Sequence, residues 1–275
     1  MLKGYTTPLS PNGRANLATA PPWHYAGSLL VIEFRAKVEA VRDVLPPGLV
    51  PSADPSRCVA FFADWQACSD SRVELLDPVR ANYREFFVLV AARLGDQEVM
   101  TCPYIFVDQD VSLMRGLLQG FPKVMGSIHT TRSFNVSSSA APELGPGGCF
   151  AGTVAAKDRR LVEAVIRIDR PSGEGPALAP IVNLRYFPRV GTAGGPLAAE
   201  LVRSSWEDVR TSAVWAGSAE MQFLESPCHE LHLLQPVEVG TGYRYDIALT
   251  IRAVEAVCDV SGRFASWAER TTPDA

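Results

Sequence analysis

Lysine is almost missing from this chain. Among 26 basic residues in 275, only Lys3, Lys37, Lys123 and Lys157 are lysines, and arginine supplies the rest. Positive charge is not in surplus either. A net charge of −4 and a pI near 5.6 give no electrostatic grip on phosphate backbones or anionic lipid, so nucleic acid is not an expected partner. No run approaches the ~18 apolar residues that a spanning helix needs, and Met1-Leu-Lys-Gly-Tyr lacks the apolar core of a signal peptide. A cytoplasmic protein without membrane partners is therefore expected. The six cysteines (Cys58, Cys68, Cys102, Cys149, Cys228, Cys258) include no C-x-x-C pair, which favours reduced thiols over a disulfide framework. Repeats, low-complexity blocks and charge runs are absent too, so the chain offers no solenoid and no linker to divide it.

What is present suits one globular domain: 47% hydrophobic residues and a mean hydropathy of +0.05. Strand-like runs are expected at Ser28–Arg35, Val59–Trp65, Arg84–Leu94, Val99–Val107, Phe150–Ala156, Leu161–Ile168, Val182–Val190, Thr211–Ala216 and Tyr243–Ile251, separated by Gly/Pro turns. Tyr243, Tyr245, Ile247, Leu249 and Ile251 share one face of the last run. A short helix is expected over Val38–Leu45 and another over Asp110–Gln119, the latter capped by Asp110 and ended by Gly120 and Pro122. Residues 1–22 read as an extended arm, 23–260 as a single mainly β domain and 261–275 as a tail.

The chemistry concentrates around Lys123. From Gly116 to Thr131 it is the only formally charged residue, set in Gly120-Phe-Pro-Lys-Val-Met-Gly126. Desolvation disfavours an ammonium, and a neutral amine attacks carbonyl carbon to form a Schiff base. A lysine that snorkels its head into water is the plainer alternative. Arg115 and Gln119 lie four residues apart, on one face of the helix that precedes it. Glu85 shares a strand face with Phe87 and Leu89, costly for a carboxylate without a partner. Tyr243 opens an apolar strand face and is a further candidate. Cys228-His229-Glu230-Leu231-His232 lacks H-E-x-x-H spacing, and no metal or other cofactor is called for.

Gly120-Phe121-Pro122-Lys123, with Tyr83-x-Glu85 ahead and Trp215-Ala-Gly217-Ser-Ala219-Glu-Met-Gln-Phe223 behind, resembles the acetoacetate decarboxylase superfamily. Val41-Arg-Asp-Val-Leu-Pro-Pro-Gly-Leu49 resembles its helix-to-strand turn, so the likeness runs from about residue 24 to 258. Acetoacetate decarboxylase is itself the standing example of a lysine made nucleophilic by its surroundings. The resemblance implies an α+β, mainly β fold: a closed, cone-like antiparallel barrel with short helices, assembled as a homo-oligomer. It implies Lys123 as the Schiff-base residue and Glu85 as an acid/base. Three departures tell against decarboxylation. Val124 stands where decarboxylases carry a second lysine, Tyr25-Ala-Gly-Ser28 where they carry an arginine, and Asp64, a poor substitute, near the place of a further family glutamate. Arg115 and Gln119 instead resemble the branch that condenses pyruvate with aldehydes and dehydrates the product.

The expected function is a lyase acting on a small keto acid, leaning to pyruvate aldol condensation and dehydration with an aldehyde. Lys123, Glu85 and Tyr243 are the expected catalytic residues, and Arg115 and Gln119 the substrate-binding ones. Decarboxylation of a β-keto acid such as acetoacetate is the first alternative, and a non-catalytic small-molecule binding barrel the second. Lys123→Ala is expected to leave the fold intact.

Overall fold

In a computed structural model of the protein, residues 1–190 and 195–264 are described. Fifteen strands and three α-helices alternate along them, in the order β1 (Trp23–Arg35), α1 (Val38–Asp43), β2 (Val50–Pro51), β3 (Arg57–Ser69), α2 (Pro78–Ala81), β4 (Asn82–Leu94), β5 (Gln97–Val107), α3 (Asp110–Leu118), β6 (Lys123–Met125), β7 (Ser127–Thr130), β8 (Cys149–Ala156), β9 (Arg159–Ser172), β10 (Ile181–Phe187), β11 (Ala198–Ser204), β12 (Glu207–Thr211), β13 (Val214–Phe223), β14 (Glu238–Ile251) and β15 (Val254–Asp259). All strands belong to one sheet, ordered β15-β11-β10-β5-β4-β3-β1-β14-β13-β9-β8-β7, with β2 on β4, β6 on β5 and β12 on β14. The mainly β class holds, but the barrel is not closed by hydrogen bonds: no ladder joins the end strands β15 and β7. The reason lies at Gly126. Before it, β6 runs parallel to β5, and after it β7 turns onto β8, so residues 123–130 tie two parts of the sheet without completing a ring.

Strand alternation sorts side chains into two cores on opposite faces of β1, β3, β4 and β5. One face of β4 sends Phe86, Val88 and Val90 into a cluster with Leu30, Ile32, Phe34 and Phe62. The other sends Tyr83, Phe87 and Leu89 into a cluster with Tyr25, Val31, Phe61, Trp65, Ile105, Leu249 and Ile251. Each fully buried aromatic or aliphatic side chain contributes about 1.5–3 kcal/mol. Glu85 occupies the second face, between Tyr83 and Phe87, and is itself buried.

Local chemistry altered several expectations. The N-terminal cap of α3 is Gln109 rather than Asp110: its side-chain oxygen accepts from the Val111 and Ser112 backbone N–H groups at 2.6 and 3.2 Å. The run Thr211–Ala216 is not one strand. At its centre the Ser212 N–H donates to the Asp246 carbonyl, and the Asp246 N–H donates to Ser212 Oγ, which makes a corner between β12 and β13. Residues 1–22 are not extended but folded back, with Thr6 and Ala18 bonded in both directions and Thr19 donating to buried Glu74. Of the expected tail, residues 265–275 lie outside the described residues.

Candidate active site

Helix α3 builds one wall of the site. Ser112, Arg115, Gly116 and Gln119 follow the i, i+3, i+4, i+7 pattern of a single face, and Ser112, Arg115 and Gln119 are buried. Gly120 adopts φ +75°, left-handed backbone that terminates the helix and sends the chain into β6, which begins with Lys123. The lysine then lies back over the helix. A methyl group on Gly116 would stand 2.3–2.6 Å from three carbons of the Lys123 side chain, so only glycine leaves room for its stem. Glycine inside a helix costs about 1 kcal/mol relative to alanine, and here it makes the berth for the amine.

The Lys123 side chain is 7% exposed, and its Nζ donates to Glu85 Oε2 at 2.5 Å and to Ser112 Oγ at 2.9 Å. It does not snorkel. Trp65 Nε1 donates to the other Glu85 oxygen at 3.3 Å. Burial is the largest influence on the ammonium and lowers its pKa. Glu85 opposes that shift, and the positive charge of Arg115 adds to it. Burial raises the pKa of the Tyr25 and Tyr83 phenols and of the Cys102 thiol, so these three groups stay neutral beside the amine.

A cavity of about 50 Å³ adjoins the amine, lined by Tyr25, Tyr83, Glu85, Gln119, Lys123 and Trp206 among others. Gln119 reaches it, with its amide nitrogen donating to the Arg115 carbonyl and its oxygen accepting from Ser204. Arg115 stands one layer back, over the rings of Tyr25 and Tyr83 at 5.3 and 5.7 Å, and Lys123 Nζ lies 5.5 Å from the same Tyr83 ring. Its Nε and Nη2 are buried without a hydrogen-bond partner among the described residues.

Of the five expected site residues, Lys123, Glu85 and Gln119 line one cavity, Arg115 stands behind its Tyr25 and Tyr83 walls, and Tyr243 lies elsewhere. Its hydroxyl donates to Glu33 at 3.0 Å, and it does not line the cavity. The face was read correctly, but pairing register decides position along the strand. Leu249, opposite Tyr25, lines the cavity, and Tyr243, opposite Val31, lies about 20 Å further along. Asp64 faces away and pairs with Arg132, and His229 packs edge-on against Phe106. Ser112, Gly116, Trp65 and Trp206 escaped sequence reasoning. The available signals were a glycine in mid-helix and the full periodicity of the face that holds Arg115.

Gly116→Ala is expected to evict the lysine stem while sparing the backbone, because the clashing atoms belong to a flexible side chain. Any keto-acid adduct at Lys123 should form at least tenfold more slowly, with little change in melting temperature. Wild-type adduct kinetics would show that the lysine does not need this berth.

Several solved structures share the architecture. MppR, an enduracididine biosynthesis enzyme complexed with pyruvate, superposes with a TM-score of 0.88 and 37% identity, covering 95% of this chain and 100% of that one. MppR complexed with the condensation product of pyruvate and imidazole 4-carboxaldehyde gives the same score and identity, with 95% and 98% covered. An acetoacetate decarboxylase-like enzyme from Sphingomonas wittichii RW1, 24% identical, shares the fold at a TM-score of 0.87 over 94% of this chain and 100% of its own. No curated protein sequence matches. The buried lysine on its glycine berth lies inside the span, residues 6–261, that matches the family described as acetoacetate decarboxylase (ADC), and the chain belongs to that family.

Proposed function

We propose that the protein is a Schiff-base-forming lyase that condenses a pyruvate-type keto acid with an aldehyde and dehydrates the product. The observation that carries this reading is the Lys123 amine, buried and held between Glu85 and Ser112 beside a small cavity. Lys3, Lys37 and Lys157 are all exposed. The MppR structures with pyruvate and with an aldehyde condensation product support the substrate classes.

The amine reacts after its proton passes to Glu85, 2.5 Å away. Nζ then adds to the keto carbon, and water leaves to give an iminium. Loss of a methyl proton gives an enamine, whose terminal carbon bonds to the aldehyde carbon while the aldehyde oxygen gains a proton. Departure of that hydroxyl as water, with a second proton from the former methyl carbon, leaves a conjugated iminium. Hydrolysis returns the amine and releases the enone. Overall, one carbon–carbon bond forms and one water is lost. Glu85 moves the protons, Gln119 donates from the cavity wall to the carbonyl or hydroxyl oxygen, and Arg115, one layer behind Tyr25 and Tyr83, supplies positive charge towards the carboxylate.

Incubation with pyruvate followed by borohydride reduction should place one mass shift on Lys123 and none on the other lysines. Adding an aromatic aldehyde should produce enone absorbance, and acetoacetate should release little carbon dioxide because Tyr25-Ala-Gly-Ser28 stands where decarboxylases carry an arginine, and Tyr25 lines the cavity. An adduct elsewhere with Lys123 unmodified overturns the mechanism. Turnover of acetoacetate at ordinary enzyme rates, on the order of ~10 per second, would establish the decarboxylase reading instead.

A further inference from the structure

The cavity beside Lys123 is small, about 50 Å³, against about 440 Å³ for the cleft that shares Trp206 with it. A space of that size suits the reacting atoms of a small keto acid better than the body of a second reactant. On the other side of Trp206 lies a cleft of about 440 Å³, within the usual range of small-molecule sites. Trp206 belongs to the lining of both spaces. Ser204, buried in the lining of the cleft, donates to Gln119, which lines the inner cavity. One indole and one hydrogen bond therefore separate the two spaces.

The composition of the cleft is selective. Leu178, Ala179, Pro180 and Ile181 make an apolar floor, Trp206 offers a ring face, and no acidic side chain joins them. Arg203 is the one charged group. Its Nη2 donates to Gln97, but its Nε is buried without a hydrogen-bond partner among the described residues. A buried, unused guanidinium donor is costly unless an acceptor arrives to meet it.

We propose that this outer cleft receives the second substrate: an aldehyde with a planar apolar or aromatic body and an acidic or strongly accepting substituent. The ring rests on Trp206 and the apolar floor, the substituent meets Arg203, and the aldehyde carbon reaches past Trp206 to the enamine on Lys123. This assignment rests on the Schiff-base reading above. It adds to that reading a selectivity for the aldehyde that the lysine site alone does not provide.

The test compares benzaldehyde with para-carboxybenzaldehyde as partners of pyruvate in the wild type, Arg203→Met and Ser205→Trp, alongside borohydride trapping of pyruvate alone. The wild type should prefer the carboxylate-bearing aldehyde in kcat/KM, and Arg203→Met should lose that preference by about tenfold or more, the worth of a charge-assisted hydrogen bond. Ser205→Trp, which fills the exposed rim of the cleft, should slow both aldehydes. Pyruvate should be trapped on Lys123 at the wild-type rate in both variants. Unchanged aldehyde kinetics in both variants overturn the assignment and leave the Schiff-base reading intact. Equal losses of pyruvate trapping and aldehyde use also overturn it, since the variants would then act through the lysine. A wild-type protein that traps no pyruvate refutes both.

Discussion

Lys123→Ala should form no keto-acid adduct and should also be less stable than the wild type, by about 3–5 kcal/mol, the usual cost of removing one partner from a buried ion pair. The expectation from the sequence, that truncation leaves the fold untouched, does not survive the structure. Glu85 is 8% exposed and would keep only the Trp65 indole, at 3.3 Å, as a partner. Lys123→Met combined with Glu85→Gln removes both charges and should recover most of the lost stability while remaining inactive, since a buried pair replaced as a whole is often energetically neutral. Thermal melts of the three proteins, run beside borohydride trapping, separate the two roles of the lysine. A single alanine variant as stable as the wild type would show that Glu85 accepts a proton at little cost.

The second large effect concerns Arg115 and the pH dependence of adduct formation. Only the unprotonated amine attacks carbon, so the rate climbs with pH until the lysine pKa is passed and then levels off. Burial, the largest influence, lowers that pKa, and Arg115 lowers it further. Arg115→Met should therefore raise it and move the rising limb to higher pH. Glu85→Gln should do the reverse, because the carboxylate favours the ammonium. Arg115→Lys keeps the charge and should leave the limb near its wild-type position. It loses the planar fork that rests on Tyr25 and Tyr83, the rings that wall the cavity, so kcat/KM for pyruvate should fall by about two- to thirtyfold, the worth of cation–π contacts of about 0.5–2 kcal/mol. Identical pH profiles in Arg115→Met and the wild type would remove Arg115 from the electrostatics of the amine.

What could be read directly from the chain was whatever local periodicity and composition govern. Lysine is so scarce that an isolated one among Phe121, Pro122, Val124 and Met125 stood out as a candidate nucleophile, a role that the family resemblance then favoured over a snorkelling lysine. The alternation of β4 put Glu85 on an apolar face, and the four-residue spacing of Arg115 and Gln119 put both on one face of α3. The same helical period, carried one turn back, reaches Ser112 and Gly116, so half of that wall was legible and went unread. Helix ends and strand breaks were harder, because hydrogen bonds to distant or unexpected partners decide them. Gln109 displaced Asp110 as the cap, and Asp246 made the corner at Ser212.

Tertiary structure alone decided the rest. Strand register carried Tyr243 away from the lysine and brought Leu249, Ile251 and Tyr25 beside it, since one strand face runs the length of the sheet and the sequence does not mark where along it a pocket opens. The turn at Gly126 left the sheet open between its end strands, because pairing partners for residues 123–130 come from strands far apart in the chain. Trp65 and Trp206 joined the site from segments whose local sequence carries no chemical signal. Residue types near Lys123 thus determined which chemistry is available. The long-range pairing of strands, which no local pattern encodes, determined which side chains stand close enough to take part in it.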